Sequence, residues 1–424
     1  MNSKERTAEL RKITGVGVSF MTVALLFSSV LSGDMVERTT LWANSGEANV
    51  MITTDNTPMS LATDTQAKVQ SGFVFDRSIM SDNYVVIPKQ SSENGIAVLT
   101  DEYVYRTVYI DIAEKKVGFY SKSSVLRYSK NEEFKGEPES WVPEPYMAAF
   151  LSGKHNPSDE VRENYKAVEK GEIKQNKTND PIVHIELTGL NNVQPKIRFA
   201  LTFDRLYVPE FFEDEKNYYI SLRRPKDVYN KILVIDIGHG GRDSGSVSGD
   251  GKVFEKDTVL DFGLKLKEFF DRQDDIKVYY TRLNDVYLYR RPRADLANAL
   301  EADFFLSIHN NNYTAMDRPV EFNEVRGSEI YYNEKINNTK VTSKRFATLV
   351  LDNICNTIDT RRRGVAEGSG LYVLGHTDMP SALLELGFLT NEEDLKILRD
   401  NDKMNACAEA VYDAVVQAFK EKEE

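Results

Sequence analysis

The second half of the chain alternates between apolar strands and helical segments, and this alternation constrains the fold more than any other feature. From residue 231 onward, short continuous runs of Val, Ile, Leu and Phe are separated by helical segments. Continuous apolar runs are typical of parallel strands that helices cover on both faces. We therefore predict an α/β domain over residues 229–424, with an open, twisted, mainly parallel sheet. Its site should lie at the carboxyl ends of the strands. The predicted strands are 231–238, 276–282, 303–309, 328–334, 370–375 and 382–388.

Residues 67–225 follow a different pattern, in which apolar and polar residues alternate with a period of two. Such alternation, rich in Val, Ile and Tyr, predicts short strands separated by turns. Several prolines break the stretch 131–180, which is interpreted as an irregular insertion. We expect a β-rich domain over 67–225, and interpret its tyrosines as sheet core rather than as a sugar-binding platform.

The N-terminal region contains one segment that does not fit a soluble domain. Residues 13–33 form a run of 21 residues without a charge, preceded by two lysines and two arginines. At 1.5 Å per residue, such a helix is long enough to cross a bilayer core of about 30 Å. The positive flank predicts that residues 1–12 stay in the cytoplasm and that the rest is exported. Residues 13–33 are then a transmembrane anchor or a cleaved signal peptide, and the polar stretch 34–66 is a flexible stalk.

Composition excludes several classes of protein and of site. The chain has 54 Lys and Arg against 66 Asp and Glu, for a net charge of −12. This balance argues against nucleic-acid binding, which depends on neutralising phosphates. Two cysteines, Cys355 and Cys407, exclude a disulfide-rich scaffold and a cysteine zinc cluster. We expect buried free thiols, with a disulfide between packed helices as the alternative.

Two histidines lie where predicted strands end. His239 follows the strand 231–238, and His309 ends the strand 303–309. Glu255 comes 16 residues after His239, just before a predicted helix. Two imidazoles and one carboxylate bind Zn²⁺ in a way that leaves a fourth position for water, which suits amide hydrolysis. The sequence therefore predicts a metal site at these three residues.

Glu385 is a charged residue within the apolar strand ALLELGF. A charge at such a position is costly unless it has a partner or a purpose. Desolvation raises the pKa of a carboxyl group, which makes it useful for accepting and returning a proton. We expect Glu385 to act as general base and acid, with membership of a buried ion pair as the alternative.

The segments VIDIGHGGRDSG, FEKD, TRLND, FFLSIHNN, SEIYY and MPSALLELGFLTNEED occur in this order. Residues 229–424 thereby resemble the catalytic domain of zinc-dependent N-acetylmuramoyl-L-alanine amidases, which are bacterial cell-wall enzymes. The resemblance implies that one zinc ion is bound by His239, Glu255 and His309, and that Glu385 is catalytic. It also implies that peptidoglycan is the substrate. The bond cleaved would be the amide between the lactyl group of N-acetylmuramic acid and L-Ala of the stem peptide.

The chain departs from that family pattern in three places. Ile237 replaces a usual proline, Asn310 replaces a usual small residue, and 312–327 is longer than the usual loop. This insertion is a candidate cover for the site, to be moved by a regulatory protein partner. Asn310, His376 and Arg282 are candidate substrate contacts. For His376 the alternative is a surface-loop histidine. For Arg282 it is an ion pair with Asp285, which we favour.

Two other functions remain open at this point. A zinc peptidase that cuts within the stem peptide would use the same metal ligands. A non-catalytic wall-binding protein on an amidase fold is expected to have lost a ligand or Glu385, and the sequence retains all of them. The exported topology predicts a location at the cell membrane, or in the cell wall if 13–33 is cleaved. The domain 67–225 resembles, by pattern, the small sandwich domains that hold such amidases at the wall.

Overall fold

The computed structural model describes only part of the chain in detail. The described ranges are 75–78, 80–90, 96–113, 120–130, 132–136, 179–191, 195–313 and 321–424, with Pro138 and three short N-terminal strands. The predicted membrane segment 13–33 and most of the predicted insertion 131–180 lie outside these residues. Within the described ranges, none of the helices is both long and apolar enough to cross a membrane.

Two of the short strands, Arg38–Thr40 (β1) and Thr53–Asp55 (β2), pair antiparallel in a unit of their own. The ten strands that follow in sequence form two antiparallel sheets of five strands each. The first sheet has the order β3-β5-β6-β10-β9 and consists of Asp64–Ala67 (β3), Ile96–Glu102 (β5), Thr107–Ala113 (β6), Pro195–Phe203 (β10) and Ile182–Asn191 (β9). The second has the order β11-β12-β4-β7-β8 and consists of Val208–Glu213 (β11), Asn217–Arg223 (β12), Asn83–Pro88 (β4), Leu126–Ser129 (β7) and Glu132–Phe134 (β8).

These two sheets, β3 to β12, are called the sandwich, because they share one apolar core. Ile110 and Phe199 from the first sheet and Ile87 and Tyr218 from the second are all fully buried in that core. Three further tyrosines of the predicted strands, Tyr84, Tyr103 and Tyr120, are less than a tenth exposed. Burial supports the core interpretation for these three, whereas Tyr109 and Tyr128 are half-buried, so the interpretation for the whole set stays a prediction.

The second half forms a six-stranded sheet, here called the mixed sheet. In spatial order it consists of Lys277–Tyr280 (β14), Ile232–Ile237 (β13), Phe304–Asn311 (β15), Ser381–Phe388 (β18), Ser328–Tyr332 (β16) and Arg362–Glu367 (β17). Its neighbouring strands are parallel, except that β16 and β18 are antiparallel.

Helices cover both faces of the mixed sheet, as the sequence predicts. They are Pro225–Val228 (α1), Glu255–Phe270 (α2), Arg290–Ala299 (α3), Ser343–Thr357 (α4), Tyr372–Gly375 (α5), Glu392–Leu398 (α6) and Asn401–Glu423 (α7). Along β13, Leu233 and Ile235 pack with α2, α4 and α7, whereas Ile232 and Val234 pack with α3 and α5. This two-sided burial explains why β13 is apolar at successive positions. Cys407 is buried in α7 and Cys355 is half-buried in α4, and both are unpaired thiols.

The prediction of a strand at 370–375 is wrong. Most of that segment is the short helix α5, and the strand of this region is β17, at Arg362–Glu367. A short apolar run cannot be assigned to helix or strand by periodicity alone. The residues of β17 are exposed or half-buried, because β17 lies at the edge of the sheet and lacks the apolar signature of a central strand.

The sandwich contacts the other edge of the mixed sheet through Tyr103. Its hydroxyl donates to the carbonyl of Tyr280 in the edge strand β14 (2.9 Å) and accepts from the Tyr280 N–H (3.0 Å). Its ring lies perpendicular to that of Tyr279, with centroids 4.9 Å apart. An edge strand otherwise presents unpaired backbone groups. The sandwich therefore completes part of the hydrogen bonding of the mixed sheet.

Candidate functional site

The predicted metal ligands come together at the carboxyl end of the mixed sheet. His239 lies two residues after β13, Glu255 begins α2, and His309 lies in β15. Oε1 of Glu255 is 3.1 Å from Nε2 of His239 and 2.8 Å from Nδ1 of His309. One donor atom from each residue lies within 4.8 Å of the others, so the trio could hold a metal ion. The donor set of two imidazoles and one carboxylate fits zinc.

The turn that carries His239 is held in an unusual backbone conformation. The φ of His239 is +55°, which is uncommon for a residue with a side chain. Two buried arginines donate hydrogen bonds to backbone carbonyls of this turn. Arg293 donates to the carbonyl of His239 (2.8 Å), and Arg282 donates to that of Gly238 (2.7 Å). A Cβ at Gly238 would lie 2.4 Å from the ring of His309, so only glycine lets the two ligands approach.

Arg282 is therefore not a substrate contact. It is fully buried and donates to the carbonyl oxygens of Ile237, Gly238, Lys256 and Asn284. Asp285, the ion-pair partner expected from the sequence, is bonded instead by the Lys256 ammonium and the Gly241 N–H. Sequence alone could not show this, because the direction of the side chain after β14 depends on the packing of the turn above it.

Glu255 is fixed as an anion. It is 2% exposed, and its carboxylate accepts hydrogen bonds from the backbone N–H groups of Ser246 (2.7 Å) and Asn310 (3.0 Å). Burial favours the neutral form, but hydrogen bonds from His239 and His309 outweigh it, and the pKa of Glu255 lies well below its usual range. A permanently ionised carboxylate is suited to ligate a cation.

Glu385 has the opposite environment. It lies in β18, and its Cα pairs with that of His309 in the neighbouring strand β15. Its Oε2 is buried and has no hydrogen-bond partner among the described residues. Burial, with the negative charges of Glu255 and Glu329, raises the pKa of Glu385 well above its usual range. The two carboxyl groups are therefore suited to different roles, Glu255 as an anionic candidate ligand and Glu385 as a proton carrier.

The four residues line one cleft of about 380 Å³, together with Ser246, Asn311 and Asn310. Asn310 is 1% exposed, and its Nδ2 donates to Oγ1 of Thr258 (2.6 Å). Its Oδ1 is buried and has no hydrogen-bond partner in the described part of the chain. The structure thus places Asn310 at the cleft, where the sequence predicts a substrate contact.

His376 does not belong to the cleft. It is exposed, its ring stacks on Tyr372 with centroids 4.0 Å apart, and its Nδ1 lies 2.8 Å from the Tyr372 carbonyl. It precedes β18, so it lies towards the amino end of that strand, whereas the site lies at the carboxyl ends. The structure fits the surface-loop alternative for His376 and does not bring this residue into the cleft.

Sequence reasoning missed Asp243, which lies close to a predicted ligand. Its Oδ2 is 3.0 Å from Nδ1 of His239, where a carboxylate can orient the imidazole of a metal ligand. Its place four residues after His239 in a glycine-rich turn was the available signal. In the insertion 312–327, Asn312 lines the cleft, whereas 314–320 lies outside the described residues, so the predicted covering role stays a prediction.

The fold and the cleft define a class of protein. An open α/β sheet places a His–Glu–His trio beside a carboxyl group whose buried Oε2 has no partner among the described residues, which is the arrangement of a hydrolase with a candidate metal centre. A binding module has no evident need for Glu385 in that position.

Comparison with known proteins gives the family. Residues 233–417 match the Amidase_3 model, described as N-acetylmuramoyl-L-alanine amidase. The chain belongs to this family. It is 32% identical over 200 residues to N-acetylmuramoyl-L-alanine amidase LytC of Bacillus subtilis. This alignment covers 47% of this chain and 37% of LytC. It is 28% identical to the germination-specific N-acetylmuramoyl-L-alanine amidase of that organism, over 45% of this chain and 81% of the relative.

One solved structure is similar to this chain at about the same sequence identity and over about the same share of the chain. The crystal structure of N-acetylmuramoyl-L-alanine amidase from Clostridium difficile 630 is 32% identical, with a TM-score of 0.41. The match covers 45% of this chain and 97% of that one. The sandwich lies outside the residues that the family model matches.

Proposed function

We propose that this protein hydrolyses the amide between the lactyl group of N-acetylmuramic acid and L-Ala of the peptidoglycan stem peptide. We further propose that one zinc ion is held by His239, Glu255 and His309. The observation that carries the proposal is the buried Oε2 of Glu385, which lies beside this trio and has no hydrogen-bond partner among the described residues. Membership of the amidase family supports the choice of substrate.

Zinc held by these three residues would polarise the substrate carbonyl and lower the pKa of a bound water towards neutrality. Glu385 accepts a proton from the attacking water as the new C–O bond forms. It then returns that proton to the alanine nitrogen as the C–N bond breaks. The products are a free lactyl carboxylate and a peptide with a new amino terminus.

The two carboxyl groups of the cleft cannot exchange these roles. Glu255 is held as an anion by two imidazoles and two backbone N–H groups, so it is a poor proton carrier. Glu385 lacks such donors among the described residues, and its raised pKa brings proton uptake closer to neutral pH. Asn310 Oδ1, which has no hydrogen-bond partner among the described residues, could accept a hydrogen bond from the substrate.

Product analysis tests the proposal. The full chain is incubated with purified peptidoglycan and zinc, beside the Glu385→Gln variant, and the soluble products are identified by mass spectrometry. We expect stem peptides with a free N-terminal L-Ala from the wild type and none from the variant. New amino termini elsewhere in the stem would instead establish a peptidase. Absence of any product from the wild type would count against both activities.

We also propose that the cleft works outside the cytoplasm, because the 21 uncharged residues 13–33 support export. Cell fractionation and sequencing of the mature amino terminus test this. An intact N-terminus in the membrane fraction means an anchor, and a new N-terminus near residue 33 means a cleaved signal. Recovery of the intact chain in the cytoplasm would contradict export. A wall-targeting role for 67–225 stays a prediction.

A further inference from the structure

A second polar cluster lies beside Glu385, on the side away from the metal trio. In the mixed sheet, β18 is flanked by β15 and β16. The Cα of Glu385 pairs with that of His309 on β15 and with that of Glu329 on β16. Directly paired residues on neighbouring strands share one face of the sheet. Glu329 therefore extends the row of site residues by one strand.

Glu329 is not a catalytic candidate, because its carboxylate is already satisfied. It accepts hydrogen bonds from Nδ2 of Asn311 (2.6 Å), the hydroxyl of Tyr331 (3.1 Å) and Nε of Arg363 (2.8 Å). Asn311 itself lines the cleft. The contacts thus form a continuous chain from the cleft through Asn311 and Glu329 to Arg363.

Arg363 is placed by an irregularity in the edge strand β17. Ser328 pairs with Arg362 and the next residue, Glu329, pairs with Gly364, so Arg363 is the extra residue of a β-bulge. Gly364 has a φ of +138°, a conformation that residues with side chains rarely adopt. Bulges redirect side chains and are over-represented beside active sites.

The Arg363 guanidinium contacts Phe388 and Glu329, and most of its N–H groups have no hydrogen-bond partner among the described residues. Its Cζ lies 4.9 Å from the ring centroid of Phe388, whose Cα pairs with that of Asn311 beside the cleft. Within the described part of the chain it donates one hydrogen bond, from Nε to Glu329, out of the five N–H donors of an arginine. The Arg363 side chain is 31% exposed.

A guanidinium oriented in this way is suited to a planar, negatively charged ligand. Its fork matches the two oxygens of a carboxylate, and stacking on an aromatic ring fixes its plane. We propose that Arg363, positioned by Glu329 and Phe388, binds a carboxylate of the peptide part of the substrate while Glu385 acts on the amide. This inference rests on the proposed amidase function.

The neighbouring Arg362 provides a matched control. It also lies in β17 and also forms an ion pair, from its Nε to Asp352 of α4 at 2.8 Å. Its side chain is 43% exposed. A general loss of charge or of edge-strand stability should therefore affect both arginines, whereas carboxylate binding should involve Arg363 alone.

The kinetic test uses N-acetylmuramoyl-L-alanyl-D-glutamate, with both glutamate carboxylates either free or amidated. For Arg363→Gln we expect the KM of the free acid to rise about tenfold or more with little change in kcat, because a charged hydrogen-bond partner is lost. The KM of the amidated substrate should not change. Arg363→Lys should lie between wild type and Arg363→Gln, and Glu329→Gln should raise the same KM by less. Arg362→Gln should have no effect.

Binding measured without turnover separates this proposal from the amidase function. Calorimetry of L-alanyl-D-glutamate with the Glu385→Gln protein should show binding that Arg363→Gln weakens about tenfold and Arg362→Gln leaves unchanged. If the wild type releases no alanine-terminated peptide but this binding persists, the amidase proposal is contradicted and the carboxylate-binding proposal is not. An equal KM change for both substrates, or equal effects of Arg363→Gln and Arg362→Gln, would show that Arg363 only joins β17 to β16.

Discussion

The sandwich and the mixed sheet each bury charged side-chain atoms, but only in the sandwich do the described residues supply those atoms with partners. In the sandwich, Arg127 is 1% exposed and its Nε contacts both carboxylate oxygens of Asp180, at 3.0 and 2.9 Å. Its Nη1 also donates to the carbonyls of Val125 and Gly136. In the mixed sheet, the buried Oε2 of Glu385 has no hydrogen-bond partner among the described residues.

The difference separates a structural charge from a functional one. A buried ion whose hydrogen bonds are satisfied can be tolerated in a folded core, whereas an unpartnered one lowers stability. An unpartnered carboxyl therefore persists where its chemistry is needed, and Glu385 lies beside three candidate metal ligands. Substitutions at the two positions should consequently have opposite signatures.

The largest effect should come from Glu385→Gln. We expect amide hydrolysis to fall by about 10²–10⁴-fold, because the amide side chain cannot accept and return a proton. Thermal stability should be unchanged or higher, since a buried ionisable group is removed. Asp180→Asn in the sandwich is the control, and it should lower thermal stability while the folded fraction retains its activity. A Glu385→Gln protein that remains fully active would contradict the acid–base role.

Breaking the paired charge should mainly affect stability. Arg127→Met leaves Asp180 buried without its cation, and the free energy of unfolding should fall by about 3–5 kcal/mol. Urea denaturation measures this change. The double substitution Arg127→Met with Asp180→Leu should recover most of the loss, because no uncompensated charge remains. If the double variant is no more stable than Arg127→Met, the loss comes from packing rather than from the charge.

A substitution at the contact between the sandwich and the mixed sheet should have an intermediate effect on the free energy of unfolding. Tyr103→Phe removes the hydroxyl that serves both the N–H and the carbonyl of Tyr280. Leaving these buried groups unpaired should lower the free energy of unfolding by about 1–3 kcal/mol. Tyr128→Phe is the matched control, because its hydroxyl bonds Glu133 at an exposed position. Equal losses in the two variants would mean that Tyr103 does not support the edge of the mixed sheet.

The sequence predicted the central part of the fold and the residues that meet at the candidate metal site because local signals coincide there. Strands buried on both faces give continuous apolar runs, and polar residues at their ends mark the edge where a site forms. His239 and His309 satisfy both conditions, whereas Glu385 was predicted as a charge within an apolar strand. Glu255 was predicted because a carboxylate at the start of a helix follows the first histidine at a suitable distance in the chain.

The role of a residue could not be predicted where it depends on the orientation of the side chain rather than on its place in the sequence. Arg282 follows β14 at the correct end of the sheet, yet its side chain turns inward to backbone carbonyls. The polar strand β17 was missed because edge strands lack the apolar signal, and with it the bulge that places Arg363. Both depend on contacts between segments far apart in the chain.

The last predicted effect concerns pH and tests the unpaired state of Glu385 directly. Below about pH 4.5, the usual pKa of a glutamate, the carboxyl is neutral in the folded and unfolded chains and has no effect on stability. Above it, the unfolded chain releases the proton while the folded chain retains it, because burial raises the pKa of Glu385. The free energy of unfolding of the chelator-treated wild type should then fall, relative to Glu385→Gln, by about 1.4 kcal/mol per pH unit until the folded-state pKa is reached. Urea titrations of both proteins at several pH values measure the difference. Parallel pH profiles would mean that the pKa of Glu385 is ordinary and that its carboxyl has a partner in solution.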